Sequence, residues 1–327
     1  MNVRGRVLVV IGVIAALLAV DASVAVGQEA LICRKRDKKL TGEGEKTVLG
    51  PRDDVVNAGD GRDILIGGAG DDILNGGRGN DVVRGGKGND VVCGGTDDDK
   101  VYGETGRDEL YGEEDNDLVV PGPGDDYALG SAGRDEVRGY GMKAGEAIPD
   151  GEDVIDGGHT QDVVVAGGAD FVLGGSEDDV LKTMTPLIGV EGMDGGYQTD
   201  TLTGSQVADG LLFGDTGDEV IRGLGGDDEI DGGESNDTIF GGQGNDQITG
   251  DVGSDESHGE DGDDRLDGAG GRDTLIGGPG TDFLTGGSEN DSLQGADSPL
   301  DAALEDDTCA GGDGRDTFSN CANQTDN

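Results

Sequence analysis

An aspartate returns every nine residues through most of this 327-residue chain. A carboxylate on so strict a spacing is a candidate metal ligand. Written in rows of nine from Leu49, the sixth position is Asp in every row to residue 138: Asp54, Asp63, Asp72, Asp81, Asp90, Asp99, Asp108, Asp117, Asp126 and Asp135. A second unbroken run from Gly214 to Gln294 carries Asp228, Asp237, Asp246, Asp255, Asp264, Asp273, Asp282 and Asp291 at that position, with Glu219 in its first row. Between the runs Asp153, Asp162 and Asp179 keep the pattern, and Asp316 repeats it near the carboxy terminus. Hard carboxylate oxygens are what Ca²⁺ takes, six to eight oxygens at flexible geometry. All of these aspartates are therefore candidate calcium ligands, and several ions are expected.

The other positions say what must hold the carboxylates. Rows such as GGAGDDILN, GGRGNDVVR and GGKGNDVVC place glycine at positions one, two and four. Glycine accepts positive φ and close backbone approach, so the first six residues are expected to form a tight loop with inward carbonyls. The last three residues have strand propensity and alternate faces, so only position eight points inward. That position reads Val56, Leu65, Leu74, Val83, Val92, Val101, Leu110, Val119, Ala128 and Val137 in the first run. One buried aliphatic side chain per row does not offset the entropy of ordering nine residues. Metal binding must supply much of the rest, and the metal-free chain is expected to be largely disordered.

Composition agrees. The net charge is −48, with 32% hydrophobic and 3% aromatic residues. So large a negative charge excludes nucleic acid as a partner and demands cations to neutralise it. At the amino terminus, Arg4 and Arg6 precede an apolar run from Val7 to Val20, then small residues at Ala25 and Gly27, the layout of a secretory signal over 1–27. The run is too short for a membrane span. The mature chain is expected to have none, and to be secreted, extracellular or associated with the cell surface. Cys33, Cys93, Cys309 and Cys321 fit two disulfides in an oxidising compartment. Three pairings are open; closeness in sequence favours Cys309–Cys321, which leaves Cys33–Cys93.

GGAGDD, GGRGND, GGKGND, GGQGND and GGPGTD, each followed by an alternating apolar tail, resemble the hemolysin-type RTX calcium-binding repeat, GGxGxDxUx. The resemblance implies an all-β fold, a right-handed parallel β-roll (a β-helix solenoid) in which two nonapeptides make one turn. Calcium would sit between successive loops on one side, ligated by position-six carboxylates and loop carbonyls, at about eight sites in the first run alone. The chain lacks the large effector domain usual in RTX toxins and proteases, and resembles secreted members built of repeats alone. The division expected is an amino-terminal cap at 28–48, regular repeats at 49–138, degenerate repeats with insertions at 139–213, regular repeats at 214–294, and a cap with a cysteine pair at 295–327. Ser298 and Pro299 are expected to start a short helix through Glu305.

No catalytic domain fits in what the rows leave over. Adjacent carboxylates such as Asp71 and Asp72 recur at fixed repeat positions, which metal ligation explains better than glycoside hydrolysis. His159 and His258 have no nucleophile at motif spacing, and the glycine-rich loops lack the lysine of a phosphate loop. Position three carries no regular threonine array of the kind an ice-binding roll requires. The expectation is a calcium-loaded, non-catalytic rod with a structural or adhesive role and an extracellular glycan or protein partner. The alternative is a polysaccharide-modifying enzyme or accessory module on a parallel β-helix.

Overall fold

The computed structural model describes residues 38–39, 44–139, 141–143, 146–148, 154–166, 171–183, 192–295 and 307–325. The signal segment, Cys33 and the expected helix at 298–305 lie outside them. Among the described residues every regular element is a strand, and the strands form two long parallel sheets of 16 and 15 strands beside one short antiparallel hairpin, Gly141–Lys143 with Glu146–Ile148. No helix there is long and apolar enough to cross a membrane.

Consecutive rows alternate between the two sheets, so each strand pairs with the strand two rows away. Val56 stands beside Leu74 and Leu74 beside Val92 in one sheet; Leu65 stands beside Val83 and Val83 beside Val101 in the other. The register is eighteen residues, two rows per coil. The expected parallel β-roll is the observed fold.

The nine-residue period does the positioning. Because strand side chains alternate, position eight points between the sheets and positions seven and nine point out. Leu74, Val92 and Leu110 under one sheet, and Leu65, Val83 and Val101 under the other, are fully buried. These two facing stacks form one continuous core along the rod.

The strands are longer than the three residues expected per row. Val82–Lys87 runs from position seven through position three of the next row, as do most others. Identical loops stacked in register continue the ladder round the corner, which a lone loop could not do. Position two turns that corner with positive φ, as at Gly86 (φ 123°), where a β-carbon would collide with the Gly68 carbonyl of the previous coil.

The sheets run on beyond the last regular row, through Thr308–Asp313, Thr317–Ser319 and Asn323–Thr325. Cys309 occupies a fully buried position eight there and is bonded to Cys321, the pairing expected. Cys93 is buried on the outward side and is also disulfide-bonded; its expected partner, Cys33, lies outside the described residues.

Ser257 is an exception in the core. It takes position eight in line with Ile239, is fully buried, and its hydroxyl has no hydrogen-bond partner. Ser257→Val should stabilise the calcium-loaded protein by about 1–3 kcal/mol, since it removes an unsatisfied buried hydroxyl and fills the stack with an aliphatic group. Chemical denaturation of both proteins at saturating calcium checks this; an unchanged or lowered midpoint would contradict it.

Candidate metal-binding columns

The coil brings the position-six carboxylates into two columns, one along each edge where the loops turn. Along the first edge, the Asp54 N–H donates to Asp72 Oδ1 at 2.8 Å, the Asp72 N–H to Asp90 Oδ1 at 2.8 Å, and the Asp90 N–H to Asp108 Oδ1 at 2.8 Å. Along the second, the N–H groups of Asp63, Asp81 and Asp99 donate to Oδ1 of Asp81, Asp99 and Asp117 at 2.6, 2.7 and 2.8 Å. One oxygen of each carboxylate thus fastens its coil to the coil before.

The second oxygen is different. Oδ2 of Asp72, Asp81, Asp90, Asp99, Asp108 and Asp117 is buried and has no hydrogen-bond partner, and so are those of Asp228, Asp237, Asp246, Asp255, Asp264, Asp273 and Asp291. Most face the position-one glycine of their own row and the position-one carbonyl of the next coil. A β-carbon on Gly76 would lie 2.6 Å from both Asp81 Oδ2 and the Gly94 carbonyl oxygen. Glycine at position one therefore keeps open a small cradle of carboxylate and carbonyl oxygen. A hard cation needs such a donor set, and these residues fit Ca²⁺. Among the described residues no three His, Cys, Asp or Glu side chains converge on one point, so carbonyl oxygens must complete the coordination.

Position five builds a second, solvent-exposed ladder in the opposite sense. The Asn89 N–H donates to Asp71 Oδ1 at 2.8 Å and the Arg107 N–H to Asn89 Oδ1 at 2.9 Å; on the other edge the Arg134 N–H donates to Asn116 Oδ1 at 2.9 Å. Position six reaches back one coil and position five accepts from the coil ahead. Neighbouring loops are locked from both sides.

Most of the expected ligands stand in the columns. Asp126, Asp135, Asp162, Asp179 and Asp282 keep the register, and Asp316 Oδ1 accepts the Asp291 N–H at 3.0 Å. Asp54 lies at the half-buried start of the first column, and Asp153 is outside the described residues. The second column also holds Asp200, whose Oδ1 accepts the Asp179 N–H at 2.7 Å. Asp307 joins the first, accepting the Asp282 N–H at 2.9 Å. No glycine loop precedes Asp307, so the repeat pattern did not reveal it; the tail Thr308-Cys309-Ala310-Gly311-Gly312 was the available signal. Glu219 fills the same place with a longer side chain, its carboxyl pushed up by burial and by Asp237 beside it.

Without a cation these carboxylates are held against their preference for charge. Burial, only partly offset by the accepted N–H bond, raises Asp99, Asp117, Asp162, Asp200 and Asp228 to about 8. The same balance raises Asp108, Asp135, Asp179, Asp255 and Asp264 to about 7.

The model of the RTX calcium-binding nonapeptide repeat matches the chain in overlapping segments that run over 50–141, 150–181 and 213–293. A comparison with curated proteins returns no match. Among solved structures, the chain is similar to the X-ray crystal structure of a hyperactive, Ca²⁺-dependent, beta-helical antifreeze protein from an Antarctic bacterium. The identity is 21% over 87% of this chain and 85% of that one, at a TM-score of 0.34, too low to carry an argument.

The raised values fix the sign of a pH effect. Folding without metal takes up protons, because the unfolded carboxyls titrate at 3.8. The metal-free roll should be most stable at low pH and lose that stability as pH rises through about 6 to 8. Circular dichroism of chelated protein should show β signal growing on acidification from pH 8 to 5. Calcium affinity should fall over the same window as protons compete for the oxygens, and a pH-independent affinity would contradict this.

Proposed function

As the chain belongs to the RTX calcium-binding nonapeptide repeat family, we propose that it is an extracellular calcium-binding rod in which ions between successive loops drive folding. The unpartnered, buried Oδ2 of Asp72, Asp81, Asp90, Asp246, Asp264 and Asp273 is the observation that carries this reading. The ligands proposed are the aspartates of the two columns other than Asp209, with Asp72, Asp81, Asp90, Asp246, Asp264 and Asp273 as clear cases, each beside a position-one glycine. A bare buried carboxylate is costly, and a shared divalent cation removes that cost on two coils at once.

The segments 28–48 and 295–327 close the two ends in this reading, the second tied by Cys309–Cys321. Open sheet ends invite pairing with other chains, and end segments protect them. Two disulfide-bonded regions support an oxidising, extracellular location. The rod's role is structural or adhesive, toward an extracellular glycan or protein, and we read it as non-catalytic. The buried carboxylates recur at one repeat position, each with one oxygen held by a backbone N–H, in two lines along the edges of the roll.

The test is far-ultraviolet circular dichroism of the mature protein during a calcium titration. A cooperative gain of β signal at millimolar calcium, reversed by chelator, is expected. A β spectrum independent of calcium would overturn the reading. Asp81→Ala should weaken calcium binding at its own and adjacent loops and leave distant rows unaffected, because solenoid energetics are nearest-neighbour. Hydrogen exchange of the calcium-loaded variant should show loosening confined to the coils around residue 81; loosening along the whole rod would contradict it.

A further inference from the structure

We infer that the loop Gly204–Asp209 is a calcium-free row that interrupts the ion array along the first edge. The inference rests on the position-six aspartates being ligands, and it concerns where that pattern fails.

Asp209 keeps the column register: its N–H donates to Asp228 Oδ1 at 2.8 Å. Its second oxygen does not stand like the others. Asp209 Oδ2 accepts the Ser205 N–H at 2.7 Å, whereas Oδ2 of Asp90, Asp228 and Asp246 has no partner. The oxygen that a cation would take elsewhere is taken here by a backbone donor.

The sequence explains why. The loop reads Gly204-Ser205-Gln206-Val207-Ala208-Asp209, with serine at position two and valine at position four; at Asp97, Glu104 and Ser131, where other rows also lack glycine there, the replacement keeps positive φ. No residue from Ser205 to Asp209 has positive φ, unlike Gly88 (φ 127°) and Gly244 (φ 134°) at position four of other loops on this edge. The chain instead folds back on the serine hydroxyl, which donates to the Val207 carbonyl at 2.8 Å and accepts the Val207 N–H at 3.2 Å. This turn is the one serine commonly makes, and it swings the Ser205 N–H onto Asp209.

The stacking of the next loop supplies an independent sign. At Gly88, Gly244 and Gly262, the atom of the previous coil nearest a β-carbon would be a position-four carbonyl oxygen, from Gly70, Gly226 and Gly244. At Gly226 it is the Ala208 backbone nitrogen, followed by the Val207 carbonyl carbon. The peptide after position four has turned, and its nitrogen stands where its counterparts place a carbonyl oxygen. With the Ser205 N–H on Asp209 Oδ2, the row offers two fewer oxygens to a cation than its counterparts. The Gly223 carbonyl still faces the row from the next coil, but it falls far short of the six to eight oxygens calcium takes.

The second edge has no such turn at this level, so the interruption is one-sided, and the first-edge run begins afresh at Asp228. Counting bound calcium in the full mature chain by native mass spectrometry at saturating calcium tests this. Asp209→Asn should retain the wild-type count, and Asp228→Asn should lose at least one ion. The double variant Ser205→Gly with Val207→Gly, which restores the glycines of the repeat, should gain one. Loss of an ion in Asp209→Asn, or no gain in the double variant, would overturn the inference. An unchanged count in Asp228→Asn would instead overturn the ligand assignment on which it rests.

Discussion

A buried carboxylate with one oxygen bonded and the other bare is the constraint on which this structure depends. The bonded oxygen receives a backbone N–H from the neighbouring coil, so the carboxylate cannot leave without unfastening two loops. The bare oxygen cannot stay charged and dry without a counter-charge. Hydrophobic burial does not settle the conflict, because a typical row buries a single aliphatic side chain at position eight, as at Val83 or Leu110, and one row buries Ser257 there instead. A cation or a proton must settle it. Which of the two does so depends on calcium concentration and pH, and the fold is therefore a reading of its solvent.

Much of this was legible in the sequence because the physical requirements repeat. Nine residues with one Asp, three glycines and one inward aliphatic residue have few ways to stack; the phase of Asp54 to Asp135 showed the row, and the resemblance to the RTX repeat implied the coil of two rows. The row phase also named most of the column aspartates, and closeness in sequence favoured the Cys309–Cys321 pair. What stayed hidden depends on neighbours in space. The extension of strands into the glycine positions needs an identical loop above and below. The exposed ladder of Asp71, Asn89 and Arg107 joins residues eighteen apart in sequence, a pairing that only the stacked coils create. Asp307 was masked by a preceding segment without glycines, and the donor turn at Ser205 by a column register that Asp209 keeps.

The two polar ladders also explain how a rod with so little core keeps its register. Sliding one coil by a single residue would put a position-five side chain in the dry column and expose the aspartate. Both sets of N–H groups would lose acceptors together. Polar bonding here supplies specificity of alignment.

Hydrogen bonds of the second column span 18 residues between Asp117 and Asp135, 27 between Asp135 and Asp162, 17 between Asp162 and Asp179 and 21 between Asp179 and Asp200. The column does not notice the difference. The coil counts aspartates rather than residues, and any excursion is admissible provided it returns the next carboxylate to the line. Such a scaffold admits excursions of different length between coils while its column of carboxylates keeps its bonds. It can therefore acquire new surface without renegotiating its fold.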